Sequence, residues 1–291
     1  NDILRGGSNT TKGDTADYSK ANLGMGVTIN MGATQTLGNS NTYAVSNDGL
    51  GGKDYLEGIE NITGTNYTDN ISGNDTANYI FGGLGDDTLS GGKGNDTLEG
   101  GAGNDVFKAT SFDDGDDLID GEKDGVPDNG IDTVDYSVIT DANYHLEVNL
   151  TTGNSVIKDA TAITQQTDTL KNIENITGTS GNDTFIAGTD TDNNGTLDVW
   201  TDDGADYFDG QDGTNDWVDY SIILDDATPS TYGIQVTLDG ANGSDVAVRG
   251  QTGVDKILNV ENVKGTYDKD SIKGDIQNNS ILGLDGDDTL F

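Results

Sequence analysis

The stretch Gly82–Lys108, GGLGDDTLSGGKGNDTLEGGAGNDVFK, states one phrase three times: Gly-Gly-x-Gly-x-Asp, then a single apolar residue two places after the aspartate. Three of the first six positions are glycine, which removes helix propensity and opens φ > 0, so that half of the phrase reads as a tight turn. The Asp-x-apolar-x remainder suffices for a strand of about three residues with one side chain pointing inward. Equal turns joining equal short strands wind into a parallel solenoid in which each coil covers the next. The expected fold class is all-β, a parallel β-solenoid.

The phase extends well beyond this stretch. Backwards it takes in Gly64–Ser72 (GTNYTDNIS) and Gly73–Phe81 (GNDTANYIF), giving sixth positions Asp69, Asn78, Asp87, Asp96 and Asp105 and eighth positions Ile71, Ile80, Leu89, Leu98 and Phe107. The C-terminal stretch repeats it as Gly265–Lys273, Gly274–Leu282 and Gly283–Phe291, with Asp270, Asn279 and Asp288 sixth and Ile272, Ile281 and Leu290 eighth. Isolated units start at Phe112 (FDDGDDLID), Gly178 (GTSGNDTFI) and Thr201 (TDDGADYFD). A linker would not hold such a phase.

A longer repeat contains the short one. DTADYS (Asp14–Ser19), DTVDYS (Asp132–Ser137) and DWVDYS (Asp216–Ser221) are each followed by an alternating stretch, GVTIN, LEVNL or IQVTL. Each then reaches DYLEGIENITGT, DTLKNIENITGT or DKILNVENVKGT. Asp54, Asp168 and Asp255 stand six residues before Glu60, Glu174 and Glu261. The expected organisation alternates the two repeat types: modules at 1–63, 121–177 and 216–264, a nonapeptide block with a calcium loop at 64–120, short units with a second loop at 178–215, and a closing block at 265–291.

Composition fits such a fold only with help. The 291 residues carry 52 acidic against 14 basic side chains, a formal charge of -38, and 32% hydrophobic residues. That balance does not collapse unaided. Yet 43 glycines, two prolines and regularly spaced apolar residues are not a disordered composition. Stacked aspartates repel, and hard cations take oxygen ligands: Ca²⁺ accepts 6–8 of them from carboxylates and turn carbonyls. Without a Lys/Arg cluster, nucleic acid and anionic membranes are excluded as partners. No apolar run approaches the ~20 residues of a membrane span, and the opening residues do not read as a signal peptide. Cysteine is absent, so neither disulfides nor thiolate metal sites hold the fold.

In these motifs the chain resembles the RTX (repeats-in-toxin, hemolysin-type calcium-binding repeat) family, and the DYS…IENITGT modules resemble those of large bacterial RTX adhesins and surface proteins. The resemblance implies a right-handed parallel β-roll stabilised by several Ca²⁺ ions, with longer β modules interspersed. It implies ligands at Asp69, Asp87, Asp96, Asp105, Asp270 and Asp288 and at the carbonyls of Gly83, Gly85, Gly92, Gly94, Gly101 and Gly103. The scattered units add Asp117, Asp183, Asp206 and Asp216. Asn78 and Asn279 depart from the pattern, since an uncharged amide puts ion binding at those turns in doubt.

Two insertions resemble EF-hand loops, with oxygen ligands at positions 1, 3 and 5 and glycine at 6. One places Asp120, Glu122, Asp124, Gly125, Asp128 and Asp132 at positions 1, 3, 5, 6, 9 and 13; the other places Asp190, Asp192, Asn194, Gly195, Asp198 and Asp202 likewise. Ile131 and Thr201 occupy the place of the usual glutamate at 12, so an aspartate at 13 would substitute.

Tyr18, Tyr136 and Tyr220 are expected to cap or line the core, and Glu60, Glu174 and Glu261 to bond turns or add ligands. A sugar-binding or catalytic role is the weaker reading. The single histidine, His145, lies in an alternating stretch and reads as a strand residue, and no catalytic motif appears. The chain is therefore read as no enzyme. Its function is expected to be a calcium-binding structural segment of a secreted surface protein: adhesin stalk, surface layer or matrix filament. The alternative is the folding appendage of an RTX protease, lipase or epimerase whose catalytic domain lies outside this chain. The resemblance implies type I secretion and folding on calcium outside the cell. The chain opens on the back half of a nonapeptide, NDILRGG, and closes on GDDTLF. The expectation is either a fragment of a longer array or head-to-tail self-association through both ends, with a cell-surface or matrix partner. Linkage makes the coupling plausible in size: a site with Kd near 0.5 mM in ~10 mM Ca²⁺ contributes about 1.8 kcal/mol.

Overall fold

A computed structural model describes residues 3–7, 13–21, 24–37, 40–47, 52, 54–122, 130–149, 153–173, 175–186, 207–211, 214–221, 233–248 and 254–291. Apart from one 3-10 turn at Gly240–Asn242, the regular structure among these residues is strand. The chain divides into two compact units, Asn1–Asp135 and Tyr136–Phe291.

In the first unit each nonapeptide contributes one short strand, and successive strands fall alternately on two sheets. One sheet takes Asn70–Asn74, Thr88–Gly92, Val106–Lys108 and Thr133–Asp135; the other takes Asn61–Thr63, Tyr79–Leu84, Thr97–Ala102 and Leu118–Asp120. All these neighbours pair in parallel. Ile71 lies opposite Leu89 and Ile80 opposite Leu98, so one coil is two nonapeptides. The eighth-position side chains consequently stack into two columns, and Ile71, Ile80, Leu89 and Phe107 are completely buried. Burying each is worth about 1.5–3 kcal/mol. One apolar residue per nine is nevertheless a thin core, which is why the polar turns matter to stability.

The longer modules interrupt this winding with an antiparallel meander. Thr28–Leu37, Ser40–Asn47 and Tyr55–Glu57 form the first. In the second unit Tyr144–Asn149, Asn154–Asp159 and Thr164–Lys171 form another, and Ile234–Thr237, Ser244–Val248 and Asp255–Leu258 a third. The first strand of each meander runs parallel to a later nonapeptide strand: Ile29 opposite Ile71, Val148 opposite Phe185, Val236 opposite Ile272. The alternating stretches GVTIN, LEVNL and IQVTL thus contribute to the strands Thr28–Leu37, Tyr144–Asn149 and Ile234–Thr237, which join the roll; the antiparallel middle strands were not expected from the sequence. His145 lies on Tyr144–Asn149 opposite Lys158, a strand residue as read.

In the second unit the roll strands are Asn175–Thr177, Tyr207–Asp209, Ser271–Lys273 and Thr289–Leu290 on one sheet, and Thr184–Ile186, Trp217–Asp219, Asn262–Lys264 and Ser280–Leu282 on the other. Phe185 and Phe208 meet between the sheets with ring centroids 5.6 Å apart.

Candidate metal centre

The strand that follows each turn fixes the aspartate that opens it. With the eighth side chain buried, the sixth residue sits at the strand's start, where its carboxylate folds back over its own turn. The carboxylates form ladders between coils. Asp69 N–H donates to Asp87 Oδ1 at 2.8 Å, Asp87 N–H to Asp105 Oδ1 at 2.8 Å, and Asp105 N–H to Asp132 Oδ1 at 2.8 Å. On the other sheet Asn78 N–H donates to Asp96 Oδ1 and Asp96 N–H to Asp117 Oδ1. The second unit repeats the device from Asp183 to Asp216 and from Asp270 to Asp288. The glutamates of the modules join the same ladders: Asp14 N–H donates to Glu60 Oε2, and Asp216 N–H to Glu261 Oε2.

The first glycine of each turn is needed for this fold-back. A Cβ on Gly91 would lie 2.0 Å from Asp96 Oδ2, and one on Gly82 2.2 Å from Asp87 Oδ2. The later glycines have a different reason. Gly83 and Gly85 adopt φ of 124° and 110°, which L side chains avoid, and the turns stack backbone on backbone.

Two chemical classes of turn result. In the Gly-Thr turns the aspartate is saturated by the protein. Thr65 N–H and hydroxyl both donate to Asp69, as does Val27 N–H. Thr179 and Leu146 do the same for Asp183, and Thr266 and Ile234 for Asp270. In the Gly-Gly-x-Gly turns the threonine is replaced by a glycine without a hydroxyl. There Asp87 Oδ2 and Asp96 Oδ2 are buried and find no hydrogen-bond partner among the described residues, and Asp216 Oδ2 is in the same state. The two asparagines close their turns differently again. Asn78 Oδ1 accepts Asn74 N–H while its Nδ2 donates to the Glu60 carbonyl at 2.9 Å; Asn279 repeats this with Asp275 and the Glu261 carbonyl, also at 2.9 Å.

A buried, unpartnered carboxylate oxygen is costly, and burial raises the titration of the turn aspartates in both classes. Burial pushes Asp87 up to about 8 and Asp96 to about 7. Asp183 rises to about 7 and Asp216 to about 8, again chiefly through burial. Asp69 and Asp270 rise for the same reason. Around these groups the donors on offer are carboxylate and backbone carbonyl oxygens, the ligand set of a hard divalent cation. No three His, Cys, Asp or Glu side chains among the described residues converge as a metal cluster. Side chains alone do not make these sites, and the turn carbonyls must supply the balance.

Comparison with known families decides the identity of the repeat. The model of the RTX calcium-binding nonapeptide repeat matches residues 54–89, 72–107, 81–114, 90–124, 172–193 and 264–291. The chain carries RTX calcium-binding nonapeptide repeats. No curated protein matches it. RTX repeats bind Ca²⁺, and the several copies here make the cofactor several ions. The orphaned oxygens of Asp87 and Asp96 and the glycine carbonyls of their turns are the groups that fit the ion. Bound there, it supplies the positive charge the turn lacks. The RTX repeat is a structural element rather than a catalytic one, and it is typical of secreted proteins. No helix among the described residues is long and apolar enough to cross a membrane.

The RTX turns place the residues singled out from the sequence as follows. Asp69, Asp87, Asp96, Asp105, Asp117, Asp183, Asp216 and Asp270 are buried, and Asp288 is half-buried at the end of its ladder. Gly92, Gly94, Gly101 and Gly103 share the positive φ of Gly83 and Gly85. Of the first EF-hand-like loop, Asp120 ends the strand Leu118–Asp120, Glu122 follows it, and Asp132 caps Asp105 in the ladder exactly as a sixth-position residue would; Asp124 and Asp128 lie outside the described residues. The second loop, with Asp190, Asp192, Asn194, Asp198 and Asp202, lies outside them too, as do Asp206 and Glu174. Tyr136 and Tyr220 line the core and donate their hydroxyls to Asp168 and Asp255 at 2.7 and 3.2 Å. Sequence reasoning paired those aspartates with the glutamates by spacing alone and missed the tyrosines as their partners. It also missed the Gly-Thr signal, although GT recurs at the end of all three modules.

Proposed function

We propose that this chain is a calcium-stiffened structural segment of a secreted bacterial surface protein, such as an adhesin stalk, a surface-layer component or a matrix filament, folded by calcium after type I export. The observation that carries the reading is the joining of the meanders to the calcium ladder through Glu60 and Glu261, whose carboxylates take the place of a sixth-position aspartate. Within each unit a module is therefore tied to the carboxylate ladder of the coils, which supports a load-carrying role. The last coil exposes Leu282, Leu290 and Phe291. Head-to-tail association belongs to the same proposal, as does a cell-surface or matrix partner.

The test is size-exclusion chromatography with light scattering from EDTA to about 10 mM calcium. Compaction to a monomer near 30.4 kDa supports a spacer within a longer protein. Growth into long assemblies supports a self-assembling subunit. A chain whose dimensions ignore calcium overturns the proposal.

A further inference from the structure

The turn above Asp96 departs from the 18-residue step of the ladder, as does the one above Asp105, which Asp132 caps 27 residues on. Asp69, Asp87 and Asp105 succeed one another every 18 residues, but Asp96 is capped by Asp117, 21 residues on. The three extra residues let the segment 109–114 form a Gly-Thr-like turn of its own just before the Asp117 turn. Thr110 N–H and hydroxyl and Ser111 N–H all donate to Asp114 Oδ2. This leaves a second carboxylate buried, Asp114, 3% exposed. Its segment lies directly on the turn of Asp96: Gly94 N–H donates to the Asp114 carbonyl at 2.7 Å, and the Thr110 hydroxyl donates to the Gly92 carbonyl at 3.2 Å.

Asp96 Oδ2 and Asp114 Oδ1 are both buried, and neither has a hydrogen-bond partner among the described residues. We infer that Asp96 and Asp114 together hold one divalent cation, a two-carboxylate calcium site that the nonapeptide pattern does not contain. Asp114 falls at a position the repeat leaves variable, so no motif marks it. Two buried carboxylate oxygens without a hydrogen-bond partner among the described residues are balanced by one doubly charged ion. The remaining ligands would be turn carbonyls and water. The field of Asp114 reaches Asp96, adding to burial in raising its carboxyl. Two charges in a rigid turn bind more tightly than one, so this site fills first and seeds the roll at its middle.

The inference rests on the calcium reading above, and the experiment separates the two. The 291-residue chain, D114N and D96N are titrated with calcium, and bound ions are counted by native mass spectrometry with affinities from calorimetry. Each asparagine keeps an oxygen acceptor, so D114N retains the Thr110 bonds and D96N the bond from Asn78. Each variant is expected to lose the same highest-affinity ion or to bind it about tenfold more weakly, with D96N/D114N no worse than either. Should D96N fail to fold, D114N carries the test alone, because only the two-carboxylate site assigns Asp114 to an ion; should D114N fail, D114S takes its place. Loss of an ion in D96N alone, or in neither, overturns the two-carboxylate site while leaving calcium binding intact. A parent chain that binds no calcium overturns the underlying reading instead.

Discussion

Replacing Asp87 by asparagine should change stability in opposite directions with and without calcium. Asp87 Oδ1 accepts Asp69 N–H at 2.8 Å, which an asparagine oxygen preserves, while Oδ2 is buried without a partner. In EDTA above about pH 8, where Asp87 is ionised, the substitution removes a buried, uncompensated charge and leaves an amide, as the chain itself does at Asn78. A gain of about 1–2 kcal/mol is expected, since an unpaired buried charge costs more than an unpaired neutral group. With calcium the same substitution removes a ligand. If one ion with Kd near 0.5 mM is lost, the deficit at ~10 mM calcium is about 1.8 kcal/mol, or roughly 4–7 °C in Tm for a unit of this size. Asp69→Asn is the control: its carboxylate accepts Thr65 N–H, the Thr65 hydroxyl and Val27 N–H. An amide there must point N–H at N–H, and both forms should lose about 1–3 kcal/mol. Thermal unfolding by circular dichroism across a calcium series reads all of this. If D87N destabilises the EDTA form, or leaves the calcium midpoint where it was, the assignment of Asp87 Oδ2 to the ion is wrong.

The pH dependence of the calcium-free chain has the reverse of the usual sign for aspartates. Asp87 and Asp216 sit near 8 and Asp96 and Asp183 near 7, against 3.8 when unfolded, so the folded state binds the extra protons. Their contribution is full below about pH 4 and is lost as pH rises through about 8; urea melts in EDTA should show the apo chain more stable at pH 5 than at pH 8, with calcium flattening the difference. Gly101→Ala places a Cβ 2.1 Å from the Gly83 carbonyl oxygen at φ 114°. It should cost about 3 kcal/mol or more by strain and displacement together, in both calcium states, as read by urea denaturation. Tyr136→Phe strips a buried donor from Asp168 and should cost about 1–3 kcal/mol while leaving the number of bound calcium ions unchanged in native mass spectrometry.

The nine-residue phase of Gly82–Lys108 determined the solenoid, because a one-residue strand core and a glycine turn leave the chain a single way to bury Leu89, Leu98 and Phe107. Composition determined the need for cations, because 38 excess negative charges have no counterpart in the chain. The tertiary structure alone decided which aspartates lack a partner. Asp69 and Asp87 occupy the same place in the repeat, yet one is saturated by Thr65 and Val27 and the other is left with a bare oxygen. Thr65 belongs to the same turn as Asp69, but Val27 lies 42 residues away, and hydrogen bonding at that distance depends on the stacking of coils rather than on spacing. Asp114 shows the same division: its letter is unremarkable in the sequence, and only the coil beneath it brings it to Asp96.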